Sequence, residues 1–521
     1  MWTDKDFKID STIKYLAALI IICLIYIIFF IKLSFFYDWD TITRALWLKD
    51  GIYARDAYVT HFLISILAGI LVYFGIDPLN AFGILTSLFM LAFVVGTYMF
   101  AKAESKDDNM AFMMSLFILF NLGFTILLTS FEDNIWLDGL LILFVYYLFL
   151  GKWNLSGLFL SLSILMHIQA EVFIPLLLLY TSYNSNLSFR CEDDGIIKKL
   201  SVSFSKSQMR KLIISMVTFS IPLFLAYSYL ILERGWKLNN FFESFLASGP
   251  AYHGDASLWF FASNRSIQDQ MGLVYGGYVS TFISPNFICR YTDALNTIPH
   301  ANYFGYLFAI LILYLFVRSF SFNLKTLCAL PTFVILSAHL LVFEPWNIER
   351  WDFVPFFIMY FAVVGYSNKT YGAKNNIKSI LSILVIFSLI ITLVSFDLLC
   401  GFQKGPIYAY SDKLATRLDN DSVAIETILD PESSFGRYLE YKCGDKVIFI
   451  QKFGYNFNDL NRKEIYTSNK SFKNLFNIFP NIIWDSELIW SNKIAENLSI
   501  IKIKPHYRVK SANGVSNSVI Y

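Results

Sequence analysis

Apolar runs follow one another along this chain through residue 399, separated by short polar segments. Eleven of them read as membrane helices, roughly Ile13–Phe36, Asn80–Ala101, Met110–Ser130, Ile135–Leu150, Leu155–Met166, Ala170–Tyr183, Leu212–Leu232, Tyr303–Val317, Leu327–Phe343, Phe353–Gly365 and Ile380–Phe396. Several are shorter than the ~20 residues that cross ~30 Å of hydrocarbon. Leu155–Met166 would reach only about 18 Å. A short helix survives at membrane depth where protein or a water-filled cavity covers its ends, so the pattern points to a cavity near residues 166–170. The first run is too long for a signal-peptide core and predicts a retained anchor.

A twelfth apolar stretch, Val59–Ile76, either spans or lies along the interface. With the N-terminus cytoplasmic and this stretch not crossing, the inner segments hold about 17 Lys and Arg in roughly 75 residues. The outer ones then hold about eight in roughly 105. Cytoplasmic loops carry the basic excess, so this arrangement is favoured, with Val59–Ile76 juxtamembrane on the outer side. From about residue 400 the pattern changes. Roughly a quarter of residues 401–521 are charged, and Ser422–Leu429 and Lys446–Gln451 read as short strands. The expected architecture is a polytopic all-α membrane domain over residues 1–400, with about eleven transmembrane helices plus juxtamembrane helices, followed by a soluble α/β domain over 401–521. The same parity places that domain and the C-terminus outside.

Composition narrows the function classes. Hydrophobic residues make up 56% and charged residues 16% of 521, against about 25% charge in soluble domains. A water-soluble enzyme is excluded. A net charge of +2 offers no footprint for nucleic acid. Cys23, Cys191, Cys289, Cys328, Cys400 and Cys443 form no CxxC or Cys/His cluster, which argues against zinc or redox chemistry.

Four polar clusters could carry chemistry, and by the topology above all face one side of the membrane. Asp38 and Asp40 stand at the mouth of the first helix, followed by Arg44. The apolar positions Ile42, Ala45, Leu46 and Leu48 predict a short amphipathic helix lying on the membrane. The same pattern fits an interfacial belt. Glu132, Asp133 and Asn134 follow the third helix, with Asp138 a turn further on inside a span. Acidic groups at that depth are costly and usually functional, although a polar turn that stops a helix reads alike. His167 interrupts an apolar stretch and shares a helical face with Glu171 if the helix continues; the alternative is a hydrogen-bonded interior histidine. Glu349, Arg350 and Asp352 lie between two apolar helices. Arg350 could hold a phosphate through its fork of donors and a helix N-terminus, or pair internally with Glu349 or Asp352.

The order of these features resembles the GT-C glycosyltransferases, polytopic enzymes that use polyprenyl-phosphate-linked sugars. The nearest look-alikes are the lipid A aminoarabinose transferase and mannosyltransferase-like membrane proteins. The resemblance covers roughly residues 10–400 and rests on order and spacing. It implies that Asp40, followed by Thr-Ile-Thr-Arg44-Ala and Gly51, is the catalytic base, with Asp38 as rival. Glu132 and Asp133 match a second acidic site that orients the acceptor or holds a divalent cation, Mg or Mn. Where the family commonly has Thr-Lys after Gly157, this chain has Met166-His167. Arg350, with Pro355 after it, resembles the family's late arginine, and Arg44, His167 and Glu349 join it as candidate donor-phosphate residues. The resemblance implies inverting transfer of a sugar from a polyprenyl-phosphate donor to a glycan, lipid or protein acceptor outside the cytoplasm. Two other readings remain open. One is an O-antigen-type polymerase or ligase with residues 233–302 as its large outer loop. The other is a transporter or flippase for lipid-linked sugars.

Overall fold

The computed structural model describes residues 11–33, 39–51, 62–182, 206–234, 268, 301–342, 353–400, 406–427, 434–449, 464–478, 482–491, 499–509 and 517–520. Two compact units emerge. One comprises Met1–Ile31, Tyr53–Ile76 and Asn80–Ser395; the other comprises Lys32–Ile52, Asp77–Leu79 and Phe396–Tyr521.

The first unit is helical. It contains α1 (Ser11–Ile31), α3 (Phe62–Tyr73), α4 (Pro78–Ser105, whose first two residues belong to the second unit), α5 (Asp108–Leu119), α6 (Leu122–Ser130), α7 (Asn134–Phe149), α8 (Trp153–Met166), a 3-10 turn (Ile168–Phe173) and α9 (Ile174–Ser182). Then come α10 (Lys206–Arg234), α11 (Ala301–Ser319), α12 (Leu324–Val342), α13 (Phe353–Tyr366) and α14 (Tyr371–Cys400), whose last residues belong to the second unit. Among the described residues four helices are long and apolar enough to cross a membrane, within Ser11–Ile31, Pro78–Ser105, Ser207–Leu232 and Tyr371–Asp397. A fifth forms if the bent pair α5–α6 is one span, and the other apolar helices are shorter, at 10–17 residues. The twelve described residues of α3 reach about 18 Å.

The run expected as one helix over Met110–Ser130 is broken, with a 53° bend between α5 and α6. Asn121 causes the break: its Oδ1 accepts the Phe124 N–H at 3.2 Å and so starts a new helix. Breaking a membrane helix frees backbone groups that need partners. The Phe120 carbonyl finds one in the Thr392 hydroxyl of α14 at 2.9 Å. Thr125 of α6 meets Tyr26 of α1 at 2.6 Å. Close helix contact depends on small residues. A Cβ on Gly157 of α8 would lie 2.2 Å from the Ser215 carbonyl of α10, and one on Gly365 would lie 1.9 Å from the Ser319 carbonyl.

One end of this unit is closed by charge pairs. Asp107 caps α5 and binds Lys378 at 2.6 Å and the Tyr366 hydroxyl at 2.7 Å. Burial pushes its carboxyl up, but these partners outweigh burial and hold it below its ordinary value. Asp108 pairs with Lys102 at 2.7 Å, and Glu104 with Lys325 at 2.6 Å.

The second unit contains α2 (Trp39–Lys49), α15 (Pro406–Ala415), β1 (Ser422–Glu426), α16 (Ser434–Cys443), β2 (Val447–Phe449), β3 (Glu464–Ser468), α17 (Asn469–Ile478), β4 (Ile482–Trp490), β5 (Ile500–Val509) and β6 (Asn517–Ile520). The sheet order is β2-β1-β3-β5-β4, with β6 also on β5. β1 runs parallel to β2 and β3, and the remaining pairs are antiparallel. Alternation along the strands buries both faces. Val423, Ile425, Ile465, Ile501 and Ile503 pack with Leu475 of α17 on one side. Ala424 and Tyr466 pack with Tyr410 and Leu414 of α15 and Leu439 of α16 on the other. Parallel strands buried on both faces and joined through helices make an α/β layer arrangement.

Candidate functional site

Asp40 lies in the first turn of α2 and Arg44 one turn further on. Their side chains pair at 3.2 Å, with Arg44 3% exposed and Asp40 47% exposed. The arginine is therefore buried, while the carboxylate keeps an open face. A carboxylate in the first turn also suits the positive end of the helix dipole. The amphipathic pattern expected for this segment does form a helix, and Ile42, Ala45, Leu46 and Leu48 are buried. The helix packs on α16. Lys49 donates to the Tyr441 carbonyl and lies 4.9 Å above that tyrosine's ring. The Tyr441 hydroxyl donates to Asp77 at 2.6 Å and accepts the Leu79 N–H at 3.4 Å. One tyrosine of α16 thus ties together the otherwise separate pieces of the second unit.

Glu132, Asp133 and Asn134 form the turn between α6 and α7, and with Asp138 all are 5% exposed or less. The turn is made by Phe131, a non-glycine residue at φ 61°, which is in the left-handed region. That conformation costs a bulky residue about 1–2 kcal/mol, and such strain collects at functional sites. The Glu132 N–H returns to the Leu127 carbonyl at 3.0 Å, closing the end of α6. The Trp136 indole, stacked on Phe89, donates to Thr86 of α4 at 2.8 Å and fixes the first turn of α7. Four buried polar residues are thereby held within seven positions by rigid neighbours.

His167 does not share a helical face with Glu171. α8 ends at Met166, and His167 is extended at φ −153° and ψ 130°. The following residues form the 3-10 turn, so the i,i+4 relation is lost. The His167 Nδ1 accepts the Gln169 N–H at 3.2 Å. An accepting Nδ1 carries no proton, which puts the ring proton on Nε2. His167 is 8% exposed and Glu171 is half-buried. In the same turn the Val172 carbonyl is satisfied by the Thr332 hydroxyl of α12 at 2.7 Å.

Asp38, Glu349 and Arg350 lie outside the described residues. Asp40 and Arg44 belong to the second unit, whereas Glu132, Asp133 and His167 belong to the first. Among the described residues no group of three or more His, Cys, Asp or Glu side chains could hold a metal ion. Glu132 and Asp133 by themselves make a donor set of two adjacent carboxylates. The charge of Asp40 was readable in the sequence, but the contact of Lys49, at the far end of the same helix, with Tyr441 was not, because nothing local marks a tyrosine 392 positions away.

No family model matches the chain, and no curated protein matches it. Among solved structures, ArnT from Cupriavidus metallidurans bound to undecaprenyl phosphate is similar over 94% of this chain and 98% of its own, with TM-score 0.56 at 9% identity. The apo state of the same protein gives 95% and 98%, with TM-score 0.53 at 10% identity. The chain therefore shares its fold with these two ArnT structures along almost its whole length.

Proposed function

We propose that this chain is a membrane glycosyltransferase that takes a sugar from a polyprenyl-phosphate donor and transfers it, with inversion, to an acceptor outside the cytoplasm. The observation that carries this reading is the likeness across nearly all of both chains to ArnT, which was solved with undecaprenyl phosphate bound. Asp40 adds chemistry to that likeness, as a half-exposed carboxylate just after the first membrane helix.

In this reading Asp40 is the general base. It removes the proton from the acceptor hydroxyl as that oxygen attacks the anomeric carbon. The new glycosidic bond forms as the bond from that carbon to the lipid phosphate breaks, and the phosphate departs with the electron pair. The buried Arg44 orients the Asp40 carboxylate and leaves one edge of it for substrate. Asp38 is the alternative base. Arg350, with Glu349 beside it, meets the departing phosphate. His167 offers an Nε2–H hydrogen bond rather than a charge, because its Nδ1 is already an acceptor. Glu132 and Asp133 orient the acceptor, and no step needs a divalent cation on them. The N-terminus is cytoplasmic, and the catalytic face and the C-terminal domain are outside, as the Lys and Arg distribution supports.

The test is release of undecaprenyl phosphate. Proteoliposomes containing the full chain and lipid extract from the producing cells should release it with first-order dependence on protein. Movement of lipid-linked sugar across the bilayer with no release of lipid phosphate would replace this reading with a flippase.

A further inference from the structure

The last turn of α2 borders a cavity of about 450 Å³ in the second unit, within the roughly 300–1,000 Å³ range of small-molecule sites. Its walls carry Lys49 from the end of α2 and Asp50 just after it, Arg437 and Glu440 from α16, and Asp445 and Phe449 from the segment entering and forming β2. No role described above uses this cavity.

Its chemistry selects a ligand. A phosphate would face three carboxylates. A free cation would face Lys49 and Arg437. Both cations already have acceptors: Lys49 binds the Tyr441 carbonyl, and Arg437 sits 3.4 Å from Glu440. What fits such a mixed wall is an uncharged molecule with donors and acceptors all round. Its hydroxyls can donate to the carboxylates and accept from the ammonium and guanidinium groups, while Phe449 offers an apolar ring for its C–H face. We propose that this cavity binds a sugar unit of the acceptor, so that the acceptor is an oligosaccharide.

This inference rests on the glycosyltransferase reading and adds a geometric demand to it. Asp40 and Lys49 are nine residues apart on one helix, about 14 Å along its axis. A sugar held at the Lys49 end therefore cannot itself present a hydroxyl to Asp40. The acceptor must extend from the cavity toward the base through further sugar units, with α2 as a rigid ruler between the two points.

The experiment uses the full chain in lipid nanodiscs, fluorescently labelled, on an array of immobilised mono- and oligosaccharides. Binding of radiolabelled undecaprenyl phosphate is measured in parallel. Two variants probe the cavity: Asp50→Asn combined with Asp445→Asn, and Asp445→Trp, which fills the mouth. Both positions are exposed, so the fold should survive, as checked by the thermal midpoint. The expected result is binding to a set of oligosaccharides and not to single sugars, weakened at least tenfold in both variants, with undecaprenyl phosphate binding unchanged. Oligosaccharide binding that is equal in wild type and both variants overturns the cavity assignment. So does an array on which no glycan binds a chain that still binds undecaprenyl phosphate. A wild-type chain that does not bind undecaprenyl phosphate instead overturns the donor reading, and the array result then judges the cavity on its own.

Discussion

Replacing Asp40 with Asn tests whether this carboxylate does chemistry or only holds a helix, because the two roles differ in size. The structural contribution can be bounded. The Asp40–Arg44 pair is an i,i+4 contact with one partner half-exposed, and pairs of that kind contribute about 0.2–0.5 kcal/mol. Loss of a negative charge from the first turn removes about 0.3–1 kcal/mol of dipole interaction. Together these are at most about 1.5 kcal/mol, and the apolar face of α2, with Ile42 and Ala45 fully buried, is untouched. The variant should therefore fold, with a small drop in thermal midpoint. Loss of a general base costs about 10²–10⁴ in rate, which is roughly 2.7–5.4 kcal/mol of transition-state stabilisation. The assay is release of undecaprenyl phosphate per folded molecule in proteoliposomes, with folded protein quantified by size exclusion. The expected outcome is a fall of at least a hundredfold in release per folded molecule. Release that falls only in proportion to folded protein would make the Asp40–Arg44 pair structural. Full activity in Asp40→Asn with loss in Asp38→Asn would move the base to the neighbouring carboxylate.

Arg350→Lys should lower turnover at least tenfold while weakening undecaprenyl phosphate binding less, because a lysine keeps the charge but loses the planar fork; normal turnover per folded molecule in Arg350→Ala would remove the phosphate role. Gly157→Ala should lower the thermal midpoint in detergent, since the added Cβ meets the Ser215 carbonyl at 2.2 Å and overpacking costs about 1–3 kcal/mol; an unchanged midpoint would show that α8 and α10 are not in that register. Glu426, fully buried beneath the hydroxyls of Tyr410, Ser468 and Ser471, has its carboxyl pushed above 4.5 by burial, which outweighs those hydrogen bonds. Its folded state therefore binds the proton more tightly than the unfolded one, and stability should decline as pH rises from about 4.5 through the raised value; Glu426→Gln should flatten that slope in thermal scans, and an identical slope in both proteins would refute it.

What the sequence made legible were features with a local signature. Long apolar runs marked α1, α4, α10 and α14. Charged composition with short alternating runs marked the sheet, and acidic residues at helix ends marked Asp40 and Glu132. What it hid depends on contacts made far along the chain. The apolar run over Met110–Ser130 carries no mark of its 53° bend, because Asn121 can start a new helix there only when the Phe120 carbonyl is satisfied by Thr392. His167 and Glu171 have helical spacing, yet the chain leaves the helix at Met166. The carboxylates at 104, 107 and 108 read as an ordinary polar loop. Only the fold brings them to Lys325, Lys378 and Lys102.

The membership of α2 in the sheet-containing unit alters how the base should be understood. An isolated helix of eleven residues is marginal in water, so α2 holds its form through packing. Its recorded partners are α16, through the Tyr441 carbonyl and ring, and the buried apolar positions along its length. Tyr441 also binds Asp77 and Leu79, so the segment after α3 is drawn into the same unit. Three stretches far apart in the sequence thus meet at one residue of the C-terminal region. If Asp40 is the base, the sheet is more than an appendage to a membrane enzyme, because it is the scaffold on which the reacting carboxylate is mounted. The same helix then carries the base at one end and the wall of the polar cavity at the other. The acceptor's length and its reactive hydroxyl would be read by one rigid element, and that element's orientation is set by the fold of residues more than 350 positions downstream.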